Sequence, residues 1–396
     1  MKKFLGLVFI VIACIALIGC GGGGSGGTEK SGNASLSRVE YGPIKSAGYY
    51  LDLRMQPNGE FLVGPIVDEA TAKKNGVVYK VDLNENKKLE KITAMYNGNP
   101  INTEWRDTIN NKYTFSAITI EYQDGYDKYN FKDARMGATK GFYGAYSIRY
   151  KIDDKKKNHK IAYLYNKQAE QASVALGFAQ FLFTYDDKDH LTKVGYANTN
   201  GERVTTTTKN YETRFKYDSK SVLPIEVANY GKDESLMVDS SSIAKTTYKY
   251  DEKGRLVEVR HFGADESLKE RNSSNLQIED KMMNFISAGA ITRYTYDAES
   301  IQPKKVAFFG KDEQPIGIKS WNNIASFQFG YTPQGLISSI SSFGTDDTPH
   351  ALDKEDLGDN VVKIAYDYDD FGNLTGIKFF GKEDNMVVAS KELSLN

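Results

Sequence analysis

The sequence predicts an all-β protein, an elongated array of about ten β-hairpin repeats stacked as a solenoid or twisted meander, with a β-propeller as the alternative closure. Three observations predict it. The first is a phrase written eight times between Tyr79 and Gly381: aromatics alternating up to Tyr-Asp, a turn, an L-x-x-V-type run, then usually Phe-Gly and an acidic turn. Its clearest copies are Y-K-Y-D-E-K-G-R-L-V-E-V-R-H-F-G-A-D-E-S-L from Tyr248 to Leu268 and Y-D-Y-D-D-F-G-N-L-T-G-I-K-F-F-G-K-E-D-N-M from Tyr366 to Met386. The second is spacing. Aligned on the Asp of Tyr-Asp or its equivalent, the anchors fall at Asp82, Asp153, Asp186, Asp218, Asp251, Asp297, Thr332 and Asp369, and from Asp153 onward the steps are 33, 32, 33, 46, 35 and 37 residues. The third is that apolar residues within each copy alternate with period two on either side of turn residues, which is strand patterning.

One such unit cannot bury its apolar face alone, so the copies must stack on one another. The gap of 71 residues between Asp82 and Asp153 holds a further copy at the I-T-I-E-Y stretch from Ile118 to Tyr122, and a degenerate earlier copy runs from Tyr49 through Pro57-Asn58-Gly59. Ten units then fill residues 38–396, leaving no room for a separate catalytic domain. Within the unit, Tyr248 and Tyr250 lead to a turn at Lys253-Gly254, and Leu256, Val259 and Phe262 form the return strand. Gly263 opens a second turn, where a positive φ is tolerated and Asp265 can bond its own backbone. In the 46-residue step, Asn275 to Ser287 reads as a short helix capped by Asn275 and burying Met282, Met283, Phe285 and Ile286. A propeller blade needs four strands in about 40 residues, and each unit offers two firm ones. An open array with an atypical unit capping each end follows.

The Y-x-Y-D-x-x-G-x-L pattern at Tyr248 to Leu256 and Tyr366 to Leu374, weaker at Phe215 to Leu223, resembles the tyrosine-aspartate repeats of the Rhs type. That family builds long β-sheet shells from spiralling hairpins, sometimes around a toxin. The resemblance implies an all-β repeat fold. The period here is longer than in that family, the units are too few to close a shell, and no C-terminal toxin domain follows, so no effector function is carried over.

The other end of the chain carries a different signal. Lys2 and Lys3 precede an apolar run from Phe4 to Ile18, the basic start and short apolar core of a secretory signal peptide over residues 1–19. Fifteen residues are too few for a comfortable membrane span. Leu17-Ile18-Gly19-Cys20 resembles the lipobox of bacterial lipoproteins, which implies cleavage after Gly19 and covalent lipid on Cys20. Two or more acyl chains anchor stably where one is marginal. Residues 20–37 follow as a Gly-rich tether, with an r.m.s. reach of about 20–25 Å from about 5–6 Å times the square root of length. Such a start looks like that of surface-displayed lipoproteins, and Gly21 is not the Asp that retains many of them in the inner membrane. The expectation is outer-membrane anchoring with outward display; facing the periplasm is the alternative. The two cysteines are Cys14, inside the leader, and Cys20, so the mature chain has no disulfide. Without Lys2 and Lys3 there are 49 basic and 52 acidic residues, a balance that does not point to nucleic acid.

Candidate site residues fall in two registers. Tyr217, Tyr250, Tyr296 and Tyr368 share the position before the anchor, so stacking aligns them as a ladder. They are either cross-strand core packing or an exposed stripe that binds glycan or protein. Trp105, in the irregular stretch Asn97 to Asn111, is the single residue to test first for ligand contact. The acidic turns bring Asp233, Asp265, Asp312, Asp346 and Asp384 to one edge, where they are either ordinary turn residues with solubilising charge or a weak Ca²⁺ site. His159, His190, His261 and His350 lie 6, 4, 10 and 18 residues past their anchors, offsets too different for a metal column or a shared catalytic role. Gly23-Gly24-Ser25-Gly26-Gly27 satisfies G-x-S-x-G but lacks a strand-to-helix context, so it reads as tether. The residues point to a lipid-anchored envelope protein, without cofactor or enzymatic activity, whose array binds or scaffolds protein or glycan. The alternative is an envelope glycan-processing enzyme using carboxylates.

Overall fold

The computed structural model describes residues 42–388 except 52, 75–76, 107–111, 154–157, 220–222, 240, 254, 272–286, 299, 301, 333–336, 353–359 and 369–373. The leader, Cys20 and the tether lie outside the described residues, as does the helix expected from Asn275 to Ser287 apart from Ser287 itself.

Nine hairpins follow one another. Their strand pairs are Val78–Leu83 with Leu89–Tyr96, Ala117–Gln123 with Tyr126–Lys132, Ser147–Ile152 with His159–Tyr165, Gln180–Tyr185 with Leu191–Ala197, and Glu212–Lys216 with Glu226–Tyr230. Lys245–Tyr250 with Leu256–Phe262, Ile291–Thr295 with Lys305–Phe309, Ser326–Tyr331 with Ile337–Phe343, and Lys363–Tyr368 with Leu374–Phe380 complete the series. Each hairpin pairs with the next, so one sheet of 22 strands forms, 21 of them in a single antiparallel meander. At its two ends, Ile66–Val67 and Met386–Val388 have one partner each, so the sheet is open and not a propeller or barrel. The earliest copy departs from the pattern. Tyr49 lies in Gly48–Tyr50, which joins the meander, whereas Leu53–Met55 and Phe61–Val63 form a separate three-stranded sheet with Gly42–Pro43.

The L-x-x-V spacing has a geometric cause. Side chains three apart on a regular strand face opposite ways. Here Lys249 pairs with Glu258 and Tyr250 with Leu256, so Val257 is an extra bulged residue, and Leu256 and Val259 both reach the core. The same slip recurs at Leu83, Ile152, Tyr185, Tyr331 and Tyr368.

Between hairpins the chain folds back over the sheet's apolar face. Residues 133–146, 166–179, 198–211 and 231–244 are four such arms of 14 residues, whereas 263–290 is twice as long and accounts for the 46-residue step. Each arm begins with a five-residue turn closed by a bridge between residues six apart, such as Tyr165 with Gln171 or Phe262 with Leu268. A second five-residue turn then places an apolar side chain, Phe142, Phe178 or Ile243, into the core. At Gly141 the approach is close enough that a Cβ would sit 2.0 Å from the Phe131 ring. The core therefore lies between sheet and arms rather than between two sheets.

Consecutive units are joined by the tyrosine that precedes the anchor. Its hydroxyl donates to a backbone carbonyl of the unit before: Tyr185 to His159, Tyr217 to Leu191, Tyr250 to Pro224, Tyr296 to Leu256, Tyr331 to Pro303 and Tyr368 to Ile337, over 2.7–3.2 Å. The residue two earlier, such as Phe183, Phe215, Tyr248 or Tyr294, is buried among core neighbours. Two residues earlier again, three successive units carry Thr213, Thr246 and Thr292 where other units carry Ile148, Phe181, Phe327 and Ile364. These threonines bind a buried polar strip. Thr213 meets Tyr196, Asn210 and Asn229, and Thr246 meets His261, whose other nitrogen lies 2.9 Å from Ser287.

The separate N-terminal sheet docks through its turn. The Asn58 carbonyl lies 2.5 Å from His159 Nδ1, Tyr129 donates to the Gly59 carbonyl, and a Cβ on Gly59 would stand 2.8 Å from the Tyr150 ring. Only glycine fits there, at φ +84°.

Two expectations follow. Tyr296→Phe keeps the ring and removes the bond to Leu256, so urea unfolding should show a loss of about 1 kcal/mol, whereas Tyr296→Ala should lose about 3–5 kcal/mol. Equal small losses for both would place the ring outside the core. The second concerns His261, which is fully buried and held neutral, its proton affinity pushed well down by desolvation and further by Arg271. The unfolded chain's histidine takes up a proton below about pH 6.5 and the folded one does not, so stability is full above that pH and declines below it by about 1.4 kcal/mol per unit. Urea melts at pH 7.5 and 5.0 should therefore show a smaller acid loss for His261→Gln than for the wild type. Identical losses would refute this.

Candidate functional site

The structure places every tyrosine of the expected ladder on the core side. Tyr217, Tyr250 and Tyr296 are partly buried and packed against the core. Desolvation pushes the phenols of Tyr217 and Tyr296 well up, and that of Tyr368 up to about 12. Their hydroxyls are committed to the preceding unit, so the stripe they form is a seam between units rather than an outward surface. Trp105, expected as the first residue to test for ligand contact, is 1 % exposed. Its ring stacks on Phe115 at 4.5 Å, meets Tyr79 edge-on at 4.9 Å, and donates from Nε1 to the Phe115 carbonyl over 2.9 Å. It anchors the strand pair Thr103–Arg106 and Lys112–Phe115 against the first units.

All four histidines make local bonds. His159 Nε2 lies 2.8 Å from Asp127, His190 Nδ1 lies 3.0 Å from Asp186, and His350 Nε2 lies 2.7 Å from the Asn322 carbonyl, while His261 belongs to the buried strip.

The acidic turns divide into two roles. Asp233, Asp265, Asp312 and Asp346 occupy the third turn position and accept the backbone N–H two residues on, each over 3.1 Å. The hydroxyls of Ser235, Ser267 and Thr348 also donate to them and hold the carboxyls of Asp233, Asp265 and Asp346 below the usual range. Asp384 is in a different register. It takes the fourth position of its turn, equivalent to Glu234, Glu266, Glu313 and Asp347. Among the described residues, no three His, Cys, Asp or Glu side chains converge to hold a metal ion.

That fourth position leads to the outward face. Its residues all have positive φ, between 56° and 64°, where glycine would be unstrained. The carboxylates there reach cations on the sheet: Glu234 to Arg214, Glu266 to Lys245, Glu313 to Arg260 and Arg293, Asp347 to Lys305, and Asp384 to Lys363. In five units the same cation lies over the aromatic residue that ends a return strand. Arg214 is 4.0 Å from the Tyr230 ring, Lys245 5.0 Å from Phe262, Arg293 4.5 Å from Phe309, Lys305 5.9 Å from Phe343, and Lys363 5.1 Å from Phe380. In a sixth unit Arg149 stands 5.2 Å from Tyr165. The outward face thus carries a ladder of cation, ring and turn carboxylate over five of the nine hairpin units.

These rings differ from the tyrosines expected from sequence. Phe262 ends the return strand, where its neighbour His261 is the inward residue and Phe262 the outward one. The legible signal was the basic residue near the start of each first strand, Arg149, Arg214, Lys245, Arg293 or Lys363, paired by distance along the unit with an aromatic before the second turn. The lysines inside the turns, Lys232, Lys311 and Lys382, have no part in the ladder.

No protein-family model matches the chain, and no curated protein matches it. Among solved structures, it is similar to a chain of the TcdB2-TccC3-Cdc42 crystal structure, at 10 % identity and a TM-score of 0.31 over 78 % of this chain and 13 % of that one. The Tc holotoxin pore of Photorhabdus luminescens aligns at 12 % identity and a TM-score of 0.34, over 80 % of this chain and 18 % of that one. A porin-like protein from Bacteroides uniformis aligns at 10 % identity and a TM-score of 0.26, over 67 % of this chain and 81 % of that one. The chain thus spans less than a fifth of the two toxin chains, and likenesses at these TM-scores bear on no functional argument.

Proposed function

We propose that this chain is a lipid-anchored protein of the bacterial outer membrane, displayed outward, whose β-array is a binding or scaffolding surface for protein or glycan. The cation, ring and carboxylate ladder carries this reading. A structural repeat needs its inward residues conserved in kind from unit to unit, whereas the outward face of a sheet can be covered by any soluble residues. Here the outward face repeats one cation, ring and carboxylate grouping in five units. Glu and Asp are kept at a position where glycine would remove about 1 kcal/mol of backbone strain. The gain for that strain is a cation oriented over a ring, a combination of amphipathic area and directed hydrogen-bond donors suited to recognition. The lipobox-like Leu17-Ile18-Gly19-Cys20 and the Gly-rich tether supply the anchor and the reach.

Two measurements test this. Cys20→Ala should move the protein from the detergent phase to the aqueous phase on Triton X-114 partitioning, and protease added to intact cells should remove the wild-type array. Unchanged partitioning would end the anchoring reading, and full protection would turn the array toward the periplasm. Arg214→Ala with Arg293→Ala should reduce crosslinked capture of envelope components at least fivefold while the melting temperature moves by only a few degrees. Undiminished capture would remove the outward face from the function.

A further inference from the structure

Arg149 breaks the pattern of the ladder in a way that suggests what binds there. The other ladder cations each have a carboxylate partner at the fourth turn position. In the unit of Arg149 that position is Ala169, which keeps the positive φ, 60°, without the acid. No carboxylate pairs with Arg149 among the described residues, and its Nε is buried and donates to nothing. In place of an acid it has a second ring. The guanidinium stands 5.8 Å from Tyr126 as well as 5.2 Å from Tyr165. Tyr163, directly opposite Arg149 in the pairing, lies 6.4 Å from Tyr126. On its other side Arg149 faces Lys128, whose ammonium is 3.3 Å from Glu121, a carboxylate also held by Asn130. All three tyrosines are partly exposed.

We propose that Tyr126, Arg149, Tyr163 and Tyr165 form a site for a carboxylated sugar of a glycan chain. Stacking against rings occupies the faces of a guanidinium and leaves its edges, and with Nε buried the edge that a carboxylate can meet in a bidentate pair is the one formed by the two terminal nitrogens. The flanking phenol rings offer apolar faces to the C–H side of a pyranose and hydroxyls to its oxygens. A neutral sugar would leave the guanidinium unpaired, and a bare carboxylate would leave the platform unused. The site needs both parts in one ligand. The inference rests on the reading of the array as a binding surface and names the ligand class for one unit of it.

The test is titration calorimetry of residues 38–396 with a galacturonate hexasaccharide, an α2,8-linked sialic acid oligomer, the carboxyl-reduced galacturonate oligomer and a poly-glutamate peptide of matched charge. One of the two acidic sugars should bind with sub-millimolar affinity, and which one does identifies the source of the carboxylate. Carboxyl reduction should weaken that binding at least tenfold. Arg149→Gln and, independently, Tyr163→Leu should each weaken it at least tenfold, while Lys249→Gln, an exposed charge away from the site, should leave it unchanged. Circular dichroism confirms folding of each variant. Failure of both acidic sugars to bind, undiminished binding by Arg149→Gln or Tyr163→Leu, or equally tight binding of poly-glutamate would overturn the proposal. If the sugars fail while Arg214 and Arg293 still govern envelope capture, only this site assignment falls.

Discussion

A single kind of hydrogen bond, from a tyrosine hydroxyl at the end of one hairpin's first strand to a backbone carbonyl of the hairpin before it, fixes how the units of this array stack. Between neighbouring hairpins most backbone ladders are only three pairs long, against five to seven pairs within a hairpin. So short a ladder defines register poorly on its own. The tyrosine spans the gap at one end of it, and the arm crosses the apolar face at the other. The Tyr-Asp pair is thus one device: the aspartate shapes the hairpin turn, as where Asp186 and Asp251 accept N–H groups two and four residues on, and the tyrosine beside it reaches back.

In six of the nine hairpins a bulge stands at the start of the return strand. The tyrosine and the residue two before it share the core side by ordinary alternation, and the inserted residue on the return strand lets Leu and Val three apart join them there. A bulge also increases the local right-handed twist of the strands that carry it. The arms then close the inner face without a second sheet. Their cost is visible at Gly141, where backbone passes so near to the Phe131 ring that no side chain could be accommodated.

Inner and outer faces obey different rules. On the inner face, size varies with tolerance: threonine replaces isoleucine or phenylalanine in three successive units, and the space is filled by a polar strip through Asn210, Asn229, His261 and Ser287. On the outer face, chemistry is held and backbone strain accepted. Glu234, Glu266, Glu313, Asp347 and Asp384 sit in a conformation that glycine would adopt freely, and what they gain is contact with the cation of the ladder. Such exposed pairs contribute little to stability singly. Their value lies in the orientation of the cation over its ring.

From sequence alone, the repeat, its period, the all-β class, the two-strand unit and the open rather than bladed stacking were all legible, because period-two alternation and turn chemistry are local properties of the chain. The extra copy near Ile118 was legible for the same reason. What each aromatic does was not. Tyr250 and Phe262 both alternate with polar neighbours in their own strands, and only the bulge at Val257 and the cross-strand register decide that Tyr250 turns inward to staple units while Phe262 turns outward beneath Lys245. Trp105 looked irregular in sequence because it belongs to a side ribbon, Thr103–Arg106 with Lys112–Phe115, that packs on the first units. The distinction between acidic turn residues that bond their own backbone and those that reach a cation also depends on one residue of register, as Asp384 illustrates. Local sequence determined which elements form. Facing, pairing and the identity of the exposed ring depend on contacts between strands distant in the chain, and those the tertiary structure alone decided.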